Sequence, residues 1–383
     1  MGSRRERSKR RGATLALAAF LFAVLAGMLA FGIDVGYATA SRSELQRTAD
    51  SAALAGGWQL LDGIVARQTL SGVQTAVGNT ASTYAGNNPL GGRATQLAVS
   101  GEQRDVTVGK FDWNSSTWSG SVSNLADANA VRVRIRRNAS MNGRVPLFFG
   151  PIFGREAIDM EIDAVAAMTS RIGGFDLTNT GSQNIMLLPF ALDKQTWDAM
   201  MAGSASDNYS FSNNQVRSGK DQILEVNLYP QGTGSPGNRG TVDIGGQNNS
   251  TADIARQIVQ GISAADFQAL KASGRSLTFN SQGALYLQGD TGISAGIKDE
   301  LASIIGKVRC IPIFEGVPPG NGNNAEYKIV GFEGVRILFV RLTGPMNQKQ
   351  VIVQPAPMVT RGVVPSSTAR VSSFVYSPVV LVQ

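Results

Sequence analysis

Residues Ala13–Ile33 (ATLALAAFLFAVLAGMLAFGI) run for 21 positions without a charge, directly behind a cluster of six cations. As an α-helix this run rises about 31 Å, which matches the ~30 Å hydrocarbon core of a bilayer. Ten of its residues are Leu, Ile, Phe or Val. Together they favour insertion by about 3–6 kcal/mol. The expectation is one transmembrane anchor, running from Ala13 through Phe20 and Leu25 to Ile33. Arg4, Arg5, Arg7, Lys9, Arg10 and Arg11 precede it, and only Asp34, Arg42 and Glu44 come closely after it. The positive-inside rule then keeps the short tail in the cytoplasm and sends the body of the chain across the membrane. Ala19, Ala23 and Gly27 recur every four residues, a small-residue face on which two membrane helices can meet. A homo-oligomer built on that face is an expectation of the sequence. A secretory signal would share the basic start, and Ala38-Thr39-Ala40 offers a small-x-small cleavage site. The apolar run exceeds the roughly 7–15 residues of such signals, so a retained anchor is favoured over a secreted or surface adhesin released after Ala40.

The net charge of +7 over 383 residues invites a nucleic-acid reading, but the charges are unevenly placed. Outside the first eleven residues there are 29 basic and 27 acidic groups. The basicity belongs to the leader, and no nucleic-acid partner is expected. Histidine is absent and Cys310 is the single cysteine. The commonest general base, a zinc site and an intramolecular disulfide all go with them. Cys310 lies in the apolar run Val308–Phe314 and reads as a small core residue. Gly232-Thr233-Gly234-Ser235-Pro236-Gly237 fits the dinucleotide-binding glycine pattern, yet Pro236, Asn238, Arg239 and Gly240 suit a loop into a strand at Thr241–Ile244 better than a helix start. No Gly-Lys pair is followed by Ser or Thr, and Ser294/Lys298 and Ser303/Lys307 are four apart, not the three of a Ser-x-x-Lys pair. No catalytic residue, cofactor, metal or small-molecule substrate is expected.

The stretch Arg10–Gly57 carries an Arg-Gly before the span, Asp-Val-Gly-Tyr at its exit (Asp34–Tyr37), Leu45-Gln46, and Ala-Asp-Ser-Ala-Ala-Leu-Ala over Ala49–Ala55. This pattern resembles the N-terminal module of TadG-like proteins of tight-adherence (Flp) pilus assembly systems. Pro236-Gly237-Asn238-Arg239-Gly240 is similar to a Pro-Gly-Asn-aromatic-Gly stretch of some members, with Arg239 in place of the aromatic. The resemblance implies a structural or accessory pilus component of the bacterial inner membrane, single-pass, with its bulk periplasmic or extracellular. It implies contacts with pilus or secretion-system proteins, and no catalysis. Type IV prepilins carry Glu at the fifth position after the processed glycine; here Leu17 stands at that spacing from Gly12, so prepilin-type processing is not expected.

Beyond the span the pattern stays helical. Leu45, Ala49, Ala52, Ala53, Gly56 and Leu60 recur at helical spacing, with Gly57 alongside. A stripe of small residues implies close packing, either on the protein's own domain or on a pilus partner. Glu44, Arg47 and Asp50 are spaced to pair on the outer face, and Asp34 reads as a marker of the membrane–water boundary. Helix resumes over Gly63–Tyr84 and stops at Asn87-Asn88-Pro89. Arg104–Phe111 and Val131–Arg137 alternate as strands, and the row Arg132, Arg134, Arg136 reads as the solvated face of an edge strand. Asp159, Glu161 and Asp163 read as the wet side of another. Further strands are expected at Ile185–Leu188, Ile223–Tyr229, Leu277–Phe279 with Ala284–Leu287, Val308–Phe314, Tyr327–Phe332, Val335–Leu342, Val351–Gln354 and Phe374–Val382. Helices are expected after Asp193, over Thr251–Gln260, after Ser263 and over Ser294–Ile305. The fold class is α+β. Its expected parts are a basic tail (1–12), the span (13–33), a helical stem (34–90), a small strand-rich domain (91–172) and a mainly β domain (173–383).

Overall fold

The computed structural model describes residues 4–120, 122–178, 183–229, 239–245, 250–290, 294–316 and 325–382, with side chains from Thr14 onward except those of Arg239 and Met346. It mixes helix and strand, with one long apolar helix at the start and strand-rich structure after it. The chain divides into two compact units: residues 1–111, 118–167 and 379–383 form the first, and 112–117 and 168–378 the second.

In the first unit, α1 (Arg4–Val65) is a single helix of 62 residues. No proline interrupts it, so span and stem are one rod. After a short turn, α2 (Leu70–Gly86) starts at Thr69, whose side chain accepts from the Gly72 N–H, and ends at Asn87. Strands β1 (Val106–Asp112), β2 (Thr117–Ser119), β3 (Ala130–Arg137) and β6 (Met160–Ala167) join the last strand of the chain, β20 (Val380–Leu381), in the sheet order β2-β1-β3-β6-β20. The pairings β1–β3, β3–β6 and β6–β20 are antiparallel. A hairpin of β4 (Val145–Pro146) and β5 (Ala157–Ile158) sits between β3 and β6 in sequence. Helix α1 packs on α2, β3, β6 and β20. Alternation along β3 sends Val131, Val133 and Ile135 to that side, all with no exposed surface.

The edge-strand expectation for β3 is corrected here. It pairs on both sides, with Val133 opposite Val106 of β1 and Ile135 opposite Ile162 of β6. Arg132, Arg134 and Arg136 lie on the outer face of a central strand, and Arg137 is buried on the other.

The second unit contains β7 (Ile172–Phe175), β8 (Phe190–Asp193), β9 (Tyr209–Ser212), β10 (Gln215–Ser218), β11 (Val226–Asn227), β12 (Arg239–Val242), β13 (Leu285–Asp290), β14 (Val308–Phe314), β15 (Ala325–Arg341), β16 (Gln350–Pro355), β17 (Met358–Val359), β18 (Val363–Pro365) and β19 (Val375–Tyr376). The order β11-β16-β15-β13-β12-β8-β14, with β14 also paired to β15, closes five strands into a ring. One core draws Ala191, Val242, Leu285, Leu287, Cys310 and Tyr327 from all five ring strands. A second gathers Phe190, Leu192, Ile311, Ile313 and Val335 with Trp197 of α3 (Lys194–Met201), Ile254 and Ile258 of α4 (Thr251–Gln260) and Leu301 of α6 (Lys298–Ser303). Because β8 and β14 serve both cores, they read as continuous apolar runs.

Local signals place the helices of this unit. Asp193, Ser250 and Ser263 accept from backbone N–H groups at the starts of α3, α4 and α5 (Ala264–Ala272), and Ser263 forms a capping box with Asp266. The expected pair Tyr327–Phe332 and Val335–Leu342 is instead the one 17-residue strand β15. Glu333-Gly334 does not turn the chain. Gly334 sits where a Cβ would meet the Ala356 and Phe374 carbonyl oxygens at 2.4 and 2.6 Å, so the glycine admits neighbouring backbone. Ile185–Leu188 makes only isolated bridges, Ile185 with Ile262 and Leu187 with Cys310. Phe374–Val382 splits at Pro378 into β19, paired with β17, and β20, paired with β6.

Candidate anchoring and packing site

Helix α1 changes environment along its length. From Leu15 to Phe31 its large apolar side chains stand free: Leu15, Phe22 and Phe31 are 76%, 74% and 69% exposed. Phe20, Leu25 and Ile33 are exposed as well, and this is the one stretch of the described residues long and apolar enough to cross a membrane. Ala19 and Ala23 are exposed, and a Cβ added at Gly27 would meet nothing within 4 Å. The chain leaves that small-residue face uncovered. The side chains of Arg4, Arg5, Arg7, Lys9, Arg10, Arg11 and Ala13 lie outside the described side chains.

Further along, the stripe Leu45, Ala49, Ala52, Ala53 and Leu60 is wholly buried, with Gly56 and Gly57 among it. These residues pack on the unit's own sheet and on α2. A Cβ at Gly56 would lie 3.1 Å from Val131 and 3.3 Å from Val77, and one at Gly57 would lie 2.5 Å from Val379. The glycines therefore set how closely rod and sheet approach. Leu45, Leu60 and Leu61 each contribute about 1.5–3 kcal/mol by burial, while the small residues permit the contact. Glu44 and Asp50 find other partners than Arg47. Glu44 accepts from the Gly91 N–H at 3.3 Å, and Asp50 from Gln46 Nε2 at 2.7 Å.

Asp34 does more than mark the end of the apolar run. Its Oδ1 accepts from the Phe148 N–H at 2.7 Å, and its Oδ2 from the Phe149 N–H at 3.1 Å. Tyr37, one turn on, meets the Phe148 ring edge-to-face at 5.2 Å. The carboxylate satisfies two loop donors where α1 leaves its apolar stretch. No local signal links positions 34 and 148, so the sequence shows Asp34 without its partner.

On the outer face of the sheet the arginine row is compensated. Arg132 and Arg134 both bond Asp163, Arg134 Nε also lies 2.9 Å from Glu161, and Arg136 Nη2 lies 2.7 Å from the buried Asp105. Burial raises the Asp163 carboxyl, but the bonds from Arg134 and Arg132 outweigh it and leave it below its ordinary value. Burial wins at Asp105, which is raised despite Ala98 and Arg136. Three cations meet three carboxylates, so the face offers a polyanion little uncompensated charge.

Cys310 is fully buried, and burial pushes its thiol well up. Among the described residues no group of three Cys, Asp or Glu is placed to hold a metal ion. Gly232–Gly237, and all of Pro236–Gly240 except Arg239 and Gly240, lie outside the described residues.

Two family models match the chain. The Tad model, Flp pilus-assembly TadE/G-like, covers residues 12–59, which is α1 from the start of its apolar run to the end of its small-residue stripe. The Tad_C model, Tad-like Flp pilus-assembly, covers residues 55–166. Together the two matches cover residues 12–166 and support a TadG-like Tad pilus protein. The sequence motifs end at Gly57, but the Tad region continues through α2, β1 and β3 to the last residues of β6. Its limit nearly coincides with residue 167, where the chain passes into the second unit. No curated protein and no solved structure matches the chain. Most of the Tad region thus falls in the first unit, and the Asp34 clamp and the Gly56 contact with Val77 and Val131 lie within that region, while Gly57 meets Val379 from beyond it.

Proposed function

We propose that this Tad-family pilus-assembly component is a membrane-anchored structural part of a tight-adherence pilus or secretion apparatus, acting through protein–protein contacts and not through catalysis. The continuity of α1 carries this reading. The same helix that exposes large apolar side chains from Leu15 to Phe31 becomes the core of the first unit from Leu45 to Leu61. A greasy segment stably exposed to water would be costly, and lipid removes that cost.

The basic cluster at Arg4–Arg11 orients the tail inward, so both units lie on the outer side of the bacterial inner membrane. The Ala19/Ala23/Gly27 face is the place for a second membrane helix, from another copy or from a pilus component. Two measurements on the full chain test the reading. Membrane fractions should retain the protein through an alkaline carbonate wash, and a C-terminal reporter should behave as extracytoplasmic. A protein that washes off, or a cytosolic reporter, overturns it. Mass spectrometry of the native N-terminus tests release: a chain beginning at Ser41 would favour a secreted adhesin. In the structure Ala38–Ala40 lies inside α1, which withholds the extended backbone that a cleavage site must present.

A further inference from the structure

We propose that the loop of the β4–β5 hairpin, residues 147–156, is a second membrane contact, lying in the bilayer interface beside the exit of α1. The proposal rests on the membrane-anchor reading above.

Exposure is the first observation. Among the described residues outside α1, only Phe148, Ile152 and Phe153 are large apolar side chains more than half exposed, at 63%, 76% and 73%. These values match those of the span itself, and all three residues come from six consecutive positions. Water-facing apolar residues on a folded surface are usually scattered; a tight cluster this exposed marks a contact.

Position is the second. The Asp34 carboxylate holds the loop by the Phe148 and Phe149 N–H groups, and Tyr37 packs on Phe148. Asp34 is the first charge after the apolar run, so the loop is tied to the helix at the level where hydrocarbon gives way to headgroups. One turn nearer the bilayer, Ala30 is only 8% exposed while Met28, Leu29 and Phe31 are 67%, 68% and 69% exposed. Protein therefore covers one side of the rod within the apolar stretch.

Order is the third. The loop is braced internally: Leu147 N–H donates to the Glu156 carbonyl at 2.9 Å, Arg155 N–H to Gly150 at 3.0 Å, and Gly154 N–H to Pro151 at 3.1 Å. Its backbone donors are largely satisfied before any membrane is met, which is the condition for approaching lipid. Arg155, exposed next to Phe153, supplies a cation at headgroup level, suited to anionic lipid. The combination of aromatic and aliphatic tips with a flanking cation fits an interfacial insertion, not a second span.

Depth-resolved quenching tests this on the full chain reconstituted in phosphatidylethanolamine–phosphatidylglycerol vesicles. Single cysteines at Ile152→Cys and Phe153→Cys carry an environment-sensitive fluorophore, and spin-labelled lipids quench it. Cys310 is fully buried and stays unlabelled. Phe22→Cys, inside the span, and Gln68→Cys, in the turn at the far end of α1, are the references. The expected result is several-fold stronger quenching at positions 22, 152 and 153 than at 68. Quenching at 22 without quenching at 152 and 153 overturns the loop contact and leaves the anchor standing. No quenching at 22 overturns the anchor itself, and the loop contact with it.

Discussion

The sheet of the first unit is open, and one of its faces is covered by α1, on which α2 packs in turn; the sheet of the second closes five strands into a ring around its own core. The first unit therefore cannot separate its core from its exposed apolar helix, because Val131, Val133 and Ile135 are buried by the same rod. The second carries its own covering helices in α3, α4 and α6. Charge is handled in two ways. On β3 of the first unit Arg132, Arg134 and Arg136 meet carboxylates on the outer face, while the buried Arg137 donates to the Gly143 and Arg144 carbonyls. The second unit likewise buries ionisable groups on hydroxyl and carbonyl partners. Glu333 is 2% exposed and accepts from Ser372 Oγ at 2.8 Å, and Arg309 is 8% exposed and donates to the Ile258 and Val259 carbonyls in the last turn of α4. This difference makes the first unit sensitive to the fit of one helix and leaves the second to its own packing.

The largest effect should come from that fit. Gly57→Val puts side-chain atoms where even a Cβ lies 2.5 Å from Val379, and should destabilise the first unit by about 3 kcal/mol through overpacking. Hydrogen exchange should speed up across α1, β3 and β6 and stay unchanged in β14 and β15. Equal loosening of both units would refute their independence.

Next is Glu333 in the second unit, which burial holds protonated, its carboxyl raised from 4.5 to about 7. The unfolded chain releases this proton from about pH 4.5, the folded chain only near pH 7. Its contribution is thus full below pH 4.5 and declines as pH rises to 7, at about 1.4 kcal/mol per unit. Glu333→Gln should match the parent at pH 4 and exceed it by about 3 kcal/mol at pH 8 in denaturant unfolding of the second unit. A gap independent of pH would show that the carboxyl is not held neutral.

How much the sequence discloses depends on how local each cause is. The long apolar helix, the caps at Asp193, Ser250 and Ser263, and the stop at Asn87-Asn88-Pro89 depend on a few neighbouring residues, and each is readable in place. The small-residue stripe at Leu45–Gly57 announces close packing but not its partner, because Val131 and Val379 come from distant segments. Strand β3 alternates plainly, yet its central place depends on β6, some thirty residues on. The partner of β20 is hidden for the same reason. Nothing near Val380 shows that it returns to the first sheet after the chain has built the whole second unit. Glu333-Gly334 misleads because a charged residue beside glycine usually marks a turn, and here burial neutralises one while close backbone approach requires the other.

Asp34 joins helix and loop in the first unit, and its effect should be smaller and confined. Asp34→Ala removes the acceptor of two backbone N–H groups and should cost about 1–2 kcal/mol. Exchange should rise at Phe148 and Phe149 with little change in the sheet. Asp34→Asn, which keeps one acceptor oxygen, should recover part of the protection. An unchanged exchange rate at Phe148 in the alanine variant would mean that the clamp does not hold the loop.

The smallest effect tests the outer face. The Arg134 side chain is 37% exposed and shares its guanidinium between Glu161 and Asp163, so solvent screens the pair. Arg134→Ala should cost less than about 1 kcal/mol near neutral pH. The sign with pH is fixed by Asp163, whose folded carboxyl lies below its ordinary value of 3.8 because of Arg134 and Arg132. That contribution is present above pH 3.8 and is lost as pH falls through the lower folded value. The gap between parent and variant should therefore close in acid, the reverse of the Glu333→Gln gap, which opens toward alkali. The same direction for both variants would show that the units do not differ in how they hold charge: the row on β3 would then be governed by burial, as at Glu333, and not by its ion pairs.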